Sequence, residues 1–132
     1  MTKILSKSEI LECQDMRIKV VEVPEWGGSV RLRSLTGAER DAFEATLVKE
    51  VDGKRVPDME NLRAKLLAAT IVDEDDRQIF SAYDLAALGR KSAVALDRVF
   101  AVAQRLNGMS ADAVEDAVKN SDSAPEGAFT SA

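Results

Sequence analysis

The sequence predicts an α+β fold, mainly α, in which an N-terminal β-hairpin precedes a small bundle of about four to five helices. Three observations carry this. A stretch from Val20 to Ala45, containing VEVPEWGGSVRLRSLTGAERDAFEA, reads as two strands joined by a turn and running into a capped helix. Apolar residues then recur at helical spacing along three later segments. The composition is 45% hydrophobic but only 5% aromatic, much of it alanine, which suits a thin helical core.

Ser6 and Ser8 precede Glu9-Ile10-Leu11-Glu12, so a short helix is expected in the polar leader, residues 1–15. The hairpin spans 16–33. Val20, Val21 and Val23 are β-branched and suit a strand. Pro24 stops it, and Trp26-Gly27-Gly28 supplies turn chemistry. Ser29 to Arg33 alternates, with Val30 and Leu32 on one face and Arg31 and Arg33 on the other. An isolated two-stranded hairpin is marginal in water, so it must pack on helices or on another chain.

Thr36 and Glu39 form a capping box opening a helix from about Gly37 to Lys49, with Phe43 and Leu47 on one face. Residues 51–57 read as a polar connection. Asp58 is the expected N-cap of a second helix striped by Met59, Leu62, Leu66 and Ala69, with Leu67 widening the stripe. Thr70-Ile71-Val72 and Gln78-Ile79-Phe80 flank Asp73-Glu74-Asp75-Asp76-Arg77, a pattern for a small hairpin or extended loop. Ser81 caps a short helix, Ala82 to Leu88, with Gly89 in the C′ position. Ser92 opens the longest helix, about Ala93 to Leu106, with Leu96, Val99, Phe100, Ala103 and Leu106 at core spacing. Ser110 caps a last short helix carrying Val114, Ala117 and Val118, so that helices occupy 37–118. Residues 1–119 form one domain in this reading, and 120–132 a disordered tail rich in small polar residues.

The chemistry is sparse. The chain has 132 residues and no histidine, which removes Ser-His-Asp and Cys-His catalysis and every His-ligated metal site. Cys13 is the single cysteine, so no internal disulfide or thiolate zinc site is available. The Asp73–Asp76 cluster lacks the glycine and the distant bidentate Glu of a calcium loop and reads as a solvated turn. No cofactor, no metal and no enzyme activity are expected. The formal charge of −5 opposes nucleic-acid binding and attraction to anionic membranes. The N-terminus is too polar for a signal peptide, and the chain reads as cytosolic. Trp26, the single tryptophan, either closes the core or serves as a contact anchor. The candidate protein-binding residues are Trp26, Arg31, Arg33, Phe100 and Leu106; the two arginines either pair with nearby acids or face a partner.

The run beginning VEVPEWGGSVRLR, with NLRAKLLAATIVDEDDRQIF and ALDRVFAVAQRLNGMS after it, resembles the tail assembly chaperones of long, non-contractile-tailed phages and prophages of Gram-positive hosts. The resemblance extends from about Leu5 to Lys119. It implies a mostly helical protein with a small β-element that binds the tape measure protein and keeps it soluble. It also implies that tail tube subunits polymerise around that complex in the host cytoplasm, and that the chaperone is absent from the mature virion. Further implied partners are the major tail (tube) protein and a frameshifted, longer form of the chain itself; a homo-oligomer is a further option. The competing classes are a structural tail or head–tail connector subunit and an acidic regulatory domain.

Overall fold

The computed structural model describes residues 2–109. Its element order bears out the α+β expectation: helices and small antiparallel sheets, with the hairpin first. Strand β1 (Ile18–Val23) and strand β2 (Gly28–Arg33) pair antiparallel, with Val21 opposite Val30 and Val20 opposite Arg31. A 3₁₀ turn, Pro24–Trp26, joins them, and Gly27 closes it at φ 76°, a left-handed conformation that glycine adopts without strain. Val21, Val23 and Leu32 point inward and are buried, as the alternation requires.

Helix α2 (Gly37–Ala45) begins at the expected capping box, with Thr36 accepting from the Glu39 N–H and Glu39 accepting from the Thr36 N–H. It ends earlier than expected. Thr46 Oγ donates back to the Phe43 carbonyl at 2.6 Å, Leu47 turns fully into the core, and Val48 starts a strand. The segment read as a polar connection is a second hairpin, β3 (Val48–Val51) and β4 (Lys54–Pro57). Asp52 and Gly53 both sit at positive φ, 54° and 78°, which is the turn whose twist matches two short antiparallel strands.

Helix α3 (Leu62–Thr70) starts later than expected and is not capped by Asp58. Asn61, at φ 54°, occupies the cap, while Asp58 accepts from the Glu60 N–H in the preceding turn. Its buried residues are Ala64, Leu66, Leu67 and Thr70, and Met59 is exposed. Leu66 and Leu67 of the expected stripe are fully buried and Leu62 packs on the core, while Met59 falls outside and the buried face extends to Ala64 and Thr70. The helix packs against α2 and two later helices, so its buried face is wider than one stripe.

The chain then leaves α3 directly as β5 (Ile71–Val72), which pairs with β2 and turns the first hairpin into a three-stranded sheet of order β1-β2-β5. The acidic turn follows as a hairpin-like return, with Val72 bridged to Gln78. Ser81 and Asp84 form another capping box, over a 3₁₀ turn (Ala82–Asp84) that continues as α4 (Leu85–Gly89). Gly89 is not the left-handed cap expected of it. It lies in the helix, where an added Cβ would come within 2.8 Å of Asn61 Oδ1, so its role is close approach.

Helix α5 (Ala93–Leu106) matches its expected bounds and buries Ala95, Leu96, Val99 and Ala103 against β1 and α3. Asn107 does more than terminate it. Its Oδ1 accepts from the Leu35 N–H at 2.6 Å, and its carbonyl accepts from Arg40 at 3.1 Å, tying the end of α5 to the start of α2. The leader helix α1 (Lys7–Glu12) is present and buries nothing. The Ser110 helix and the tail at 120–132 lie outside the described residues.

Candidate functional site

Two apolar hollows meet at Phe80. The larger, about 400 Å³, lies between α2, α3 and the segment leading into α4, and is floored by Ala42, Phe43, Ala68, Ala69, Phe80 and Leu85. Its polar rim is already paired. Lys65 donates to the Thr46 carbonyl at 2.9 Å, and Gln78 donates to the Ala69 carbonyl at 3.0 Å. The smaller, about 200 Å³, is formed by Trp26, Phe80, Ala87 and Leu88, with Asp84 and Lys91 at its mouth.

Trp26 is placed by its turn. Pro24 opens the 3₁₀ turn, and Glu25 is held by Arg98 of α5, whose Nη2 donates to Glu25 Oε2 at 2.8 Å. That guanidinium, helped by a backbone N–H, holds the Glu25 carboxyl down at about 2. The Trp26 ring is half-buried and packed against the core. It thus closes the core on one side and lines an open hollow on the other.

The remaining expected residues are dispersed. Arg31 donates to Asp76 at 2.8 Å, and Arg33 to both oxygens of Glu39 at 2.8 and 3.1 Å. Phe100 and Leu106 are half-buried on α5 and pack on the core; Leu106 borders a polar hollow with Leu35, Arg40 and Asn107. Only Trp26 of the five lies at either apolar hollow. Phe80 and Leu85 were missed as candidates. Their signal was local: flanking the Ser81–Asp84 box, they occupy the two positions of a hydrophobic staple.

The acidic turn is held together by its own backbone. Asp73 Oδ1 accepts from the N–H of Asp75 at 2.8 Å and of Arg77 at 3.0 Å, and these bonds, the Arg77 one foremost, lower its pKa. Among the described residues no group of three or more ligand side chains is gathered around a point that would hold a metal ion. No helix among them is long and apolar enough to cross a membrane.

The described residues thus form an α+β domain with two open apolar hollows that meet at Phe80. The profile of the phage tail assembly chaperone family matches residues 9–120, and the chain belongs to that family. Its fold is similar to the solved structure of the bacteriophage HK97 tail assembly chaperone, with a TM-score of 0.51 at 18% identity, covering 78% of this chain and 94% of that one. None of the curated proteins compared matches the chain.

Proposed function

We propose that this chain binds the tape measure protein of a long-tailed phage through the paired hollows around Phe80. It keeps that partner soluble while tail tube subunits polymerise around it in the host cytoplasm, and it is absent from the finished virion. The observation that carries the reading is the arrangement of Trp26 and Phe80. Two large aromatic side chains border apolar space, and the larger hollow's Lys65 and Gln78 are already bonded to backbone carbonyls. Such a surface accepts the apolar face of a helix and asks for no specific polar group in return. Weak contacts of this kind, repeated along one long partner, give avidity while each remains displaceable. The charge of −5 keeps a crowded complex in solution. Trp26 leads the contact set. Arg31, Arg33, Phe100 and Leu106 lie on other surfaces and enter the proposal as secondary contacts.

Co-expression with the tape measure protein, followed by solubility and pull-down assays, tests this. The tape measure protein becomes soluble and co-purifies, and capture survives moderate salt. Trp26→Ala and Phe80→Ala each cost ~2 kcal/mol or more of affinity, as buried aromatic anchors do. A tape measure protein that stays insoluble, with this chain found instead in purified virions, overturns the reading in favour of a structural subunit.

A further inference from the structure

Another hollow adjoins the one at Trp26 and differs from both of those described above. It measures about 360 Å³ and lies between the start of α3 and the start of α5, lined by Met59, Asn61, Leu62, Lys91 and Leu96. Lys91 also lines the Trp26 hollow, so these two adjoin at its side chain as the first two adjoin at Phe80. Met59 is 42% exposed there, while Leu62 packs on the core and Leu96 is buried in it. A thioether side chain at the mouth of a hollow adapts its shape to what enters.

The polar groups of this Met59 hollow are unspent. Among the described residues the Asn61 amide makes no side-chain hydrogen bond, and the Lys91 ammonium has neither a hydrogen bond nor an ion pair. Gly89 leaves room for Asn61, since a Cβ there would come within 2.8 Å of its Oδ1. The other lining charge, Arg63, is already paired with Asp97. The acids around the Trp26 hollow are engaged too: Glu25 with Arg98, and Asp84 with the Ser81 N–H and hydroxyl. In the largest hollow Lys65 and Gln78 are bonded to backbone carbonyls. The largest hollow therefore selects for apolar surface, whereas the Met59 hollow adds a cation and an amide that select for polar partners as well.

We infer that the Met59 hollow takes a partner segment in which an apolar side chain is flanked by a carboxylate, and that Lys91 is the residue that reads the carboxylate. The apolar side chain enters beside Met59 and Leu62, and the Asn61 amide bonds to the backbone or a polar side chain of the segment. The inference rests on the reading above in one respect: the segment seated at Phe80 and Trp26 is the one that continues past Lys91. Lys91 is exposed, so it acts through charge, favouring an acid on the partner and penalising a base. The whole chain, at −5, repels an acidic segment, so a preference for acid has to come from a local cation.

Two helical peptides of about 18 residues, long enough to hold a helix, test this. Both carry one leucine stripe on an alanine background, flanked by glutamate in one and by lysine in the other. Fluorescence anisotropy with the full-length chain shows the glutamate peptide binding at least about tenfold tighter. Lys91→Gln removes the preference and Lys91→Glu reverses it. Asn61→Gly keeps the left-handed backbone at φ 54°, removes the amide, and weakens both peptides alike. A lysine peptide that binds as well as the glutamate one, a preference that survives Lys91→Glu, or no binding of either peptide overturns the inference. The two readings fail separately. Binding that is lost in Trp26→Ala and Phe80→Ala but indifferent to Lys91 leaves the Phe80 hollows standing and overturns the role of Lys91. A glutamate preference that depends on Lys91 but ignores Trp26→Ala and Phe80→Ala supports the Met59 hollow as a site and removes the Phe80 hollows from the contact.

Discussion

The β1–β2 hairpin and the β3–β4 hairpin use the same antiparallel pairing, but only the first buries side chains. Val21, Val23 and Leu32 enter the core, and β5 adds a third strand beside them. The second hairpin exposes nearly every residue, and only Val48 and Val56 are half-buried. Its base is tied to the domain by backbone and charge, with the Asp58 N–H donating to the Leu47 carbonyl at 2.7 Å and Lys65 lying 3.7 Å from Asp58. One hairpin is held by what it covers, the other by its turn and its anchor. The first also carries the Trp26 tip, which lines the smaller hollow.

Truncation in the two cores separates them most strongly. Leu32→Ala removes a fully buried side chain and costs ~2–5 kcal/mol, read from urea unfolding. Val56→Ala, on the half-exposed strand, costs under ~1 kcal/mol. Equal losses at the two positions mean that the second hairpin is as much part of the core as the first.

The turns separate them next. Gly53→Ala forces a side chain into a left-handed conformation at φ 78° and costs ~1 kcal/mol. Gly28→Ala, in β2 at an ordinary backbone with open space around its Cβ position, leaves stability nearly unchanged. A second hairpin that tolerates Gly53→Ala is held by its anchor at Asp58 and Lys65, not by its turn.

The smallest effect concerns the tip of the first hairpin. Glu25 is lowered from 4.5 to about 2 by Arg98, so the folded state binds its proton less readily than the unfolded chain does. The contribution is complete above pH 4.5 and is lost as pH falls toward 2. Thermal melts of Glu25→Gln fall off less steeply through that window than those of the unmodified chain. Parallel curves mean that the pair adds nothing at this exposed position.

Capping boxes show how far local signals reach. Ser6–Glu9, Thr36–Glu39 and Ser81–Asp84 all form, and each starts a helical turn where the spacing predicts. Leu5 and Ile10 even hold the staple positions around the first box, yet both are exposed, whereas Phe80 and Leu85 around the third pack on the core. The sequence marks where helices begin but not whether a core receives them. Of the candidate site, Trp26 was legible as a lone aromatic at a hairpin tip. Phe80 was legible only as a staple position beside the Ser81–Asp84 box; its place between two hollows comes from elements distant in the chain.

By itself, then, the sequence determined the first hairpin and the faces of its second strand, the start of α2 and both bounds of α5. Those depend on neighbouring residues: alternation, β-branching, turn chemistry and caps act within a few positions. It also determined what chemistry is missing, since no fold creates a histidine. Only the tertiary structure decided the early end of α2, the second hairpin, the face that α3 buries, and the joining of β5 to β2. Each of these depends on contacts between segments distant in the chain. A helix packed by three others buries more than its apolar stripe marks, and a charged four-residue strand is a strand only once its partner lies beside it.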